Sequence, residues 1–518
     1  MGLLAMTTGD DAAEAWAPWI AALEQRRAAA GAMGGAERLA RQHDAGRLDA
    51  RERIQRLCDP GSFRELWALA GGDEPLGAVA ADGFPCGHAL VDGRPVAVGA
   101  EDFTTLGGSI GVAGATKRER LARIARDERI PLILLLEGAG ARASKALERY
   151  IPHPHDLGTM ADLPGVVPTI AVVAGASAGH GALTAALSDF VVIVRGQGAL
   201  FTAGPPLVKA SIGEVIDAQT LGGAPVHAIV SGVAHLAVDS EDDALDAVRQ
   251  YLSYFPTNAW ESAPWVGPVD GNADVGRRDT EAVLSLLPPD ARRAYDVVPI
   301  LREVFDRDSL YEIAPEHGRS IITAFARLGG HAVAVIANQP LVQAGAVDAE
   351  ATDKAARFVE IASSFHLPLI FFADNPGVMA GSASERAGIL RAAARLYAAQ
   401  HRATTVKIHV TLRKAFGFGS SIMALNQYDG RTFAFALPAV TLGVMPARAG
   451  GAVAKSNDSE REALESAEAA GPWKLASEAA YDDVIHPAEL RDTLLDTIEL
   501  AHRPSRRLEP VARFGYLP

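Results

Sequence analysis

The chain of 518 residues has few cysteines, no excess of positive charge and no long apolar run. Cys58 and Cys86 are its only cysteines, which excludes a disulfide framework or a four-cysteine zinc ribbon and favours a reducing, cytoplasmic setting. The formal net charge of −14 argues against a nucleic-acid surface, which needs clustered Lys and Arg. No apolar run approaches the ~20 residues that span a membrane, and Met1 to Ala13 do not read as a signal peptide. The composition predicts a soluble protein with neither a membrane nor a nucleic-acid partner.

Metal-ligating residue types do not converge at a recognisable spacing. The segment His153-Pro154-His155-Asp156 offers suitable side chains, but no further well-spaced ligand accompanies it, and the neighbouring prolines are typical of a solvated loop. The sequence therefore predicts no metal site.

The chain contains an internal repeat at a spacing of 237 residues. A repeat of this length exceeds the period of a solenoid, and 518 residues exceed what one hydrophobic core normally supports. We therefore predict two tandem domains, residues 1–265 and 266–518, joined through a Pro- and Gly-rich linker around 256–279. Matched positions include Gly93 and Gly330, Ile124 and Ile361, Pro131 and Pro368, and Gly140 and Gly377.

Strands and helices alternate along the first copy. The apolar run Ile130 to Leu136 predicts a strand buried on both faces, and Thr169 to Val173 and Phe190 to Val194 predict two more. Helical spacing in Lys117 to Asp127 predicts a helix before the first of these strands, and a helical arm over Ala12 to Cys58 precedes the core. This alternation of strands and helices predicts an α/β fold.

A glycine-rich turn follows a predicted strand at equivalent places in both copies. Gly179-His180-Gly181 occurs in the first copy and Gly417-Phe418-Gly419 in the second, at a spacing of 238 residues. Backbone N–H groups at such a turn, where a helix begins, hold negative charge on an oxyanion. A single turn of this kind is more often a packing feature, but its recurrence favours catalysis. The pattern indicates two oxyanion holes suited to an enolate beside a thioester carbonyl.

Segments spread over nearly the whole chain together resemble the carboxyltransferase (β) subunit of biotin-dependent acyl-CoA carboxylases, the propionyl-CoA and methylcrotonyl-CoA carboxylase family. They are Ala50-Arg51-Glu52-Arg53-Ile54, Asp59-Pro60-Gly61-Ser62-Phe63, Asp102-Phe103-Thr104, Gly107-Gly108-Ser109, Ala178-Gly179, Gly204-Pro205-Pro206-Leu207-Val208-Lys209, Leu221-Gly222-Gly223-Ala224, Ser231-Gly232-Val233-Ala234-His235, Tyr295-Asp296-Val297, Asn338-Gln339-Pro340 and Arg413-Lys414-Ala415-Phe416-Gly417.

The resemblance implies an α/β fold of two tandem crotonase-like domains related by internal duplication. It implies transfer of a carboxyl group from carboxybiotin to the α-carbon of an acyl-CoA, through enolates held in backbone oxyanion holes. The first domain would bind the acyl-CoA and the second the biotin, in a homohexamer built as a trimer of dimers. The chain has no Met-Lys-Met biotinylation segment and no glycine-rich phosphate loop. Biotin is therefore expected on a separate α subunit with biotin carboxylase and biotin carrier functions.

The resemblance also assigns residues to the two sites. Gly179 and His180 would serve the acyl thioester, and Phe418 and Gly419 would serve biotin; these four are the predicted catalytic positions. Predicted cofactor-binding positions on the walls of the two holes are Ala139, Gly140, Gly377 and Gly417.

The chain departs from the family pattern at both holes. Propionyl-type members have two glycines where this chain has Gly179-His180, and the Gly-Gly-Ala of the second hole is Gly417-Phe418-Gly419. The Met-Gly usual near the end of family members is Met445-Pro446 in this chain. Ser421 stands where propionyl-type members have an Asp beside the substrate, so a preference for propionyl-CoA is not assumed. A backbone donor survives any side chain except Pro. His180 is either an acid or base near neutral pH or a packing imidazole that contributes its N–H.

Two other functions fit the same scaffold. A biotin-independent decarboxylase or hydrolase of a malonyl-type acyl-CoA would use His180 as its proton donor. A non-catalytic scaffold subunit of a larger carboxylase would account for the bulky Phe418 and for Pro446. The acyl group, the α subunit and the pathway stay open at this point.

Overall fold

The computed structural model describes residues 9–71, 80–142, 156–267 and 275–501, together with residue 508. Within these ranges the strands form two sheets of eight. The strands are β1 (Arg64–Leu66), β2 (Cys86–Val91), β3 (Arg94–Ala100), β4 (Leu132–Gly138), β5 (Thr169–Ala178), β6 (Phe190–Val194), β7 (Ala199–Phe201), β8 (Leu236–Val238), β9 (Tyr311–Ile313), β10 (Ile321–Leu328), β11 (His331–Asn338), β12 (Leu369–Asn375), β13 (Lys407–Phe416), β14 (Thr432–Ala436), β15 (Thr441–Gly443) and β16 (Asp483–Val484).

Helices cover the sheets and extend the chain at its N-terminal end. They are α1 (Gly9–Gly31), α2 (Ala36–Asp44), α3 (Ala50–Leu57), α4 (Val112–Glu128), α5 (Leu157–Asp162), α6 (His180–Leu187), α7 (Pro205–Ile212), α8 (Ala218–Gly222), α9 (Glu241–Ser253), α10 (Val283–Leu286), α11 (Val298–Val304), α12 (Ala349–Ser364), α13 (Ser382–Arg386), α14 (Ile389–Arg402), α15 (Gly417–Ile422), α16 (Ala447–Ala454), α17 (Asp458–Glu468), α18 (Trp473–Ser477) and α19 (Leu490–Ala501). The helical arm predicted over 12–58 is confirmed as α1 to α3.

The two sheets have the same topology. The first runs β1-β2-β3-β4-β5-β6-β8 with β7 against β5, and the second runs β9-β10-β11-β12-β13-β14-β16 with β15 against β13. In each sheet the first three strands pair antiparallel and the remaining pairs are parallel. The strand β4 and its counterpart β12 begin 237 residues apart, as do α4 and α12. The predicted internal duplication is therefore confirmed at the level of whole elements.

The strand β5 is longer than the sequence predicts. We expected it to end near Val173 and to run into a glycine turn from Gly175, but it continues to Ala178. Its last three residues pair in parallel with β7, and Ser177 pairs with Gly138 of β4. Because hydrogen bonding to two neighbours holds these small residues in extended form, the turn begins only at Gly179.

The two halves share one hydrophobic core. Residues of β4 such as Ile133 and Leu135 are fully buried, and the same cluster continues through α9 into β10 and α12. The ring of Phe255 packs edge-on to Phe325 of the second half at 5.0 Å between centroids. The N–H of Val266 donates to the carbonyl of Gly330 at 2.9 Å, so the chain already contacts the second half at this point. The domain boundary after residue 265 stays a prediction.

The properties expected from the composition have structural counterparts. Both cysteines are buried free thiols, and burial raises the pKa of Cys58 to about 12 and that of Cys86 to about 11. Such thiols are protonated and unreactive at neutral pH. None of the helices in the described ranges combines the length and apolar character needed to cross a membrane.

Candidate active site

In the first half, two turns at the carboxyl ends of neighbouring strands touch one another. Strand β4 is followed by Ala139-Gly140, and β5 by Gly179 and helix α6. A Cβ at Gly140, whose φ is +77°, would lie 2.7 Å from the carbonyl oxygen of Ala178. Gly179 has φ +58° and ψ −109°, a conformation open to glycine. The structure therefore brings the predicted residues Ala139, Gly140, Gly179 and His180 together.

The second half repeats this arrangement. Gly377 follows β12 with φ +124°, and Gly417 follows β13 with φ +55°. A Cβ at Gly419 would lie 2.7 Å from the Cα of Gly377 and 2.3 Å from Oδ1 of Asn375. The predicted residues Gly377, Gly417, Phe418 and Gly419 are thus also brought together, and only glycine fits at position 419.

Several backbone N–H groups of these turns are engaged within the protein. The N–H of Gly179 donates to the carbonyl of Phe201 at 2.9 Å, and that of Ala139 donates to Gly107 at 2.9 Å. The N–H of Gly377 donates to Oδ1 of Asn375 at 3.1 Å. These residues shape the turns. Helix α6 begins at His180, and N–H groups in a first helical turn point along the axis at its positive end.

The His180 side chain is held by a buried acid that the sequence did not connect with it. Nε2 of His180 hydrogen-bonds Oδ1 of Asp156, whose side chain is 3% exposed. Burial raises the pKa of Asp156, but the hydrogen bond to His180 and the charge of Arg118 outweigh it, so that this pKa lies below its usual value. The carboxylate therefore stays ionised and fixes the imidazole. His153 and His155, which we considered as ligands, lie outside the described residues.

A second buried acid lies directly beneath the start of α6. Glu101 follows β3, and its carboxylate accepts the N–H of Glu137 at 2.7 Å and pairs with the Arg118 guanidinium. A Cβ on Gly181 would lie 3.1 Å from Oε1 of Glu101, which locates this carboxylate under the first turn of the helix. Burial raises the pKa of Glu101 although Arg118 opposes the shift.

The two halves differ in charge at equivalent positions while keeping the same backbone. Asp374, in the second half, donates its N–H to Oδ1 of Asn338 at 3.1 Å, as Glu137 does to Glu101. Three charged or ionisable side chains around the first turn are therefore replaced by neutral ones around the second, although the buried Asp374 remains. The substituted pairs are Glu101 and Asn338, Arg118 and Ala355, and His180 and Phe418.

The ring of Phe418 lies to one side of the second turn. It is 49% exposed and stacks on Tyr397 of α14 at 6.2 Å between centroids. Tyr397 in turn meets Tyr428 edge-on at 5.5 Å. The ring is thus supported by α14, and the backbone at 417–419 keeps the turn found in the first half. Pro446 precedes α16 as its cap and supplies no N–H donor.

Carboxylates with buried cation partners anchor both turns from below. Glu137, fully buried, accepts hydrogen bonds from the helical arm, and its repeat counterpart Asp374 is paired by residues of β13. The two acids could have been noticed in the sequence, because each directly follows an apolar run. Their partners could not, because they are distant in sequence. They are Gln42 (2.9 Å), Arg47 (2.9 Å) and Arg53 (2.6 Å) for Glu137, and Arg413 (2.8 Å) and Lys414 (3.5 Å) for Asp374.

One group in the described ranges has side chains close enough to hold an ion. His43, Asp49 and Glu52 offer ligand atoms within 4.8 Å of one another. Asp49 caps α3 by accepting the N–H of Glu52, whose carboxylate accepts the N–H of Asp49 in return. The two acids are therefore occupied as a capping box, which accounts for the cluster without a metal.

Comparison with known proteins gives consistent matches over nearly the whole chain. The family profile described as carboxyl transferase domain matches residues 41–515. A propionyl-CoA carboxylase carboxyltransferase subunit from Haloferax mediterranei is 34% identical over 96% of this chain and 98% of the relative. A methylmalonyl-CoA decarboxylase subunit alpha from Veillonella parvula is 34% identical over 93% of this chain and 95% of the relative.

Solved structures give the same result. Transcarboxylase 12S, a hexamer solved with methylmalonyl-coenzyme A and methylmalonic acid bound, superposes with a TM-score of 0.87 at 32% identity, covering 99% of this chain and all of that one. A single-chain long-chain acyl-CoA carboxylase superposes with a TM-score of 0.81 at 28% identity over 95% of this chain and 49% of its own. These matches confirm the predicted fold class, α/β with two tandem crotonase-like domains.

Proposed function

The chain belongs to the carboxyl transferase family and is a carboxyltransferase subunit of the acyl-CoA carboxylase type, and we propose that it transfers a carboxyl group from carboxybiotin to the α-carbon of an acyl-CoA. One observation supports the assignment of a different ligand to each of the two turns. Two turns of the same backbone lie in tandem domains, and three charged or ionisable side chains at the first are replaced by neutral ones at the second. Equivalent holes with different surroundings suit two different ligands.

We assign the acyl thioester to the first turn. The N–H of His180 would donate to the thioester oxygen as negative charge builds there, while Gly179 and Gly140 allow close approach of the ligand. Asp156 holds the imidazole, and Arg118 with Glu101 supports the turn from below. A single backbone donor of this kind contributes about 3 kcal/mol to transition-state stabilisation.

We assign carboxybiotin to the second turn, and the residues present there fit it. Gly417 and Gly377 keep positive φ as Gly179 and Gly140 do, and the Phe418 ring is packed on Tyr397. When bound, carboxybiotin supplies an activated carboxyl group. Its ring could approach the backbone closely at the glycines, which are Gly377, Gly417 and Gly419. The N–H groups of residues 418 and 419 would donate to its ureido oxygen.

Partner and assembly follow from the same assignment. We propose that biotin arrives on a separate α subunit with biotin carboxylase and biotin carrier functions, that the chain forms a homohexamer built as a trimer of dimers, and that it works in the cytoplasm. Support comes from the hexameric assembly of transcarboxylase 12S, which matches 99% of this chain.

The deciding experiment removes one backbone donor at a time. His180 is the first residue of α6, a position where Pro is tolerated. The preceding residue, Gly179, does not have the right-handed helical conformation that a following Pro would disfavour. His180→Pro therefore deletes the N–H with the helix kept, whereas His180→Ala keeps it. With a biotinylated α subunit, ATP, bicarbonate and a panel of acyl-CoAs, we expect kcat to fall about 10²- to 10³-fold in His180→Pro and less than tenfold in His180→Ala.

The second turn provides a matched pair. Phe418→Pro is expected to lose carboxyl transfer to a similar extent, and Phe418→Ala to keep it. Gly179→Pro is not informative, because φ of +58° at this position is closed to Pro. Equal activity in both Pro variants and the parent, in a complex of unchanged composition, would instead identify a scaffold subunit.

A second candidate function is decarboxylation or hydrolysis of a malonyl-type acyl-CoA by this chain without biotin. The observation that favours it is the His180 and Asp156 pair, which has no counterpart at Phe418. In this case the isolated chain would release free CoA or carbon dioxide, and His180→Ala would abolish that release. Product detection by mass spectrometry, with and without the α subunit and ATP, separates the two functions.

A further inference from the structure

A cavity of about 380 Å³ lies where the two halves meet, and none of the residues assigned to either turn lines it. The first half contributes Asp189, the loop 231–233, His235 and Tyr251 of α9. The second half contributes residues of β10, and Lys354, Arg357 and Phe358 of α12. Sites for small molecules commonly have volumes of about 300–1,000 Å³ and form where domains meet.

The cavity wall contains buried hydrogen-bond donors that the protein leaves unused. Tyr251 is 1% exposed, and its Oη has no hydrogen-bond partner among the described residues. Nε of Arg357 is likewise buried without a partner in the described ranges, while its Nη2 donates to the carbonyl of Ser188 at 2.6 Å. Buried polar groups are normally satisfied, so two unsatisfied donors on one wall indicate a missing acceptor.

Three cations, Lys354, Arg357 and Arg395, and two acids, Asp189 and Asp353, line the cavity. Lys354 donates to the carbonyl of His317 at 2.8 Å, and burial lowers its pKa to about 8. Arg395 adds a third cation, paired with Glu360 at 2.9 Å. Burial raises the pKa of Asp189 to about 7, so this acid opposes the cations only in part. An ionised oxygen acceptor in the cavity would accept the N–H of Nε that Arg357 leaves without a partner in the described ranges.

Part of the wall is apolar. Phe325, Phe358 and Ile361 line it and belong to the shared core. We propose that this cavity is a binding site for a small monocarboxylate with a short apolar chain, its carboxylate held by Tyr251 and Arg357 and its chain by these core residues. Because none of the residues assigned to the two turns lines the cavity, the site is separate from carboxyl transfer. Because the ligand would bind only the folded chain, its occupancy would stabilise that chain.

The test uses hexanoate as the probe and the full chain, with hexanamide as the uncharged match. Hexanoate in the millimolar range is expected to raise the unfolding temperature and to give a saturable heat signal in calorimetry, and hexanamide is expected to do neither. Tyr251→Phe removes only the unpartnered hydroxyl. We expect this variant to bind hexanoate about tenfold more weakly and, without ligand, to unfold at the same or a higher temperature.

Tyr311→Phe is the matched control, because that hydroxyl already donates to the carbonyl of Ala247 at 3.3 Å. It is expected to bind hexanoate normally. Arg357→Lys keeps the charge, removes Nε and is expected to weaken binding. The proposal is overturned if hexanoate fails to bind, if hexanamide binds as well, or if Tyr251→Phe binds hexanoate like the parent; a cavity holding only water gives the first result.

Discussion

At the scale of single residues, the same backbone position has different chemistry in the two halves. Glu101 and Asn338 each accept the N–H of the residue that ends the next strand, but the first is a buried acid with a cation partner and the second a neutral amide. His180 and Phe418 differ in the same way. The backbone of the two turns is duplicated, while the side chains around them differ, as expected if each turn binds its own proposed ligand.

A buried acid in the wall of the cavity makes stability depend on pH. Burial raises the pKa of Asp189 to about 7, whereas an unfolded Asp titrates near 3.9. Between these values the folded state keeps a proton that the unfolded state has released, so stability falls as the pH rises. We expect Asp189→Asn to gain stability relative to the parent from pH 4 to pH 8, by about 4 kcal/mol at most.

Denaturant unfolding at several pH values measures this difference. Asp217→Asn is the control, because Asp217 is an exposed cap of α8 and Asn serves as a cap equally well. Its stability relative to the parent is expected not to rise with pH. Parallel stability profiles for Asp189→Asn and the parent would contradict the assignment.

At the scale of elements, the helical arm supports the first turn through buried charge. Arg53 of α3 is buried and reaches both Glu137 and Glu241 at 2.6 Å. Glu137 belongs to the strand end that leads into Ala139-Gly140, so α3 is tied directly to the candidate acyl-CoA site. Through this contact the peripheral arm supports the backbone of the first turn.

Breaking this contact is expected to cost far more than breaking a surface pair on the same helix. Arg53→Met removes the buried cation that two buried carboxylates share, which costs about 3–5 kcal/mol. Arg56→Met removes a pair with Asp242 in which both side chains are about half exposed or more, and water screens such a pair, so its loss is expected to change stability little. Denaturant unfolding of both variants measures the difference, and equal losses would refute the supporting role of Arg53.

At the scale of the whole molecule, exposed apolar surface adjoins both turns. Helix α7 has no buried residue, and its Leu207 and Ile212 are 57% and 73% exposed. The equivalent region of the second half exposes Val444 and Val453. Exposed apolar surface is typical of protein–protein contacts. Both segments begin beside the turns, since a Cβ at Gly179 would lie 3.7 Å from the carbonyl of Thr202 and one at Gly417 2.8 Å from that of Val444.

We therefore expect assembly and activity to be lost together. Ile212→Asp is expected to shift the protein to species smaller than the proposed hexamer, measured by native mass spectrometry, and to lower carboxyl transfer in parallel. Leu284→Asp on α10, where the side chain is 50% exposed, is the control and is expected to change neither. Full activity in a dissociated Ile212→Asp variant would show that each site is complete within one chain.

Much of this organisation was predictable from the sequence. The spacing between Gly140 and Gly377 revealed the duplication, because equivalent strands and turns need the same small residues at the same places. The strands with continuous apolar runs were found for the same reason. The length of β5 was not, because its last residues are small and are held extended by β7, a neighbour distant in sequence.

The sequence by itself determined the fold class, the tandem duplication, the two glycine turns and the family, since these depend on local patterns and on the positions where glycine is required. Only the tertiary structure decided which charges meet. Asp156 reaches His180, and Arg53 reaches Glu137. Tyr251 and Arg357 each have a donor without a partner among the described residues, in a cavity between the halves. Side-chain partners of this kind come from distant elements, and their pairing depends on how those elements pack.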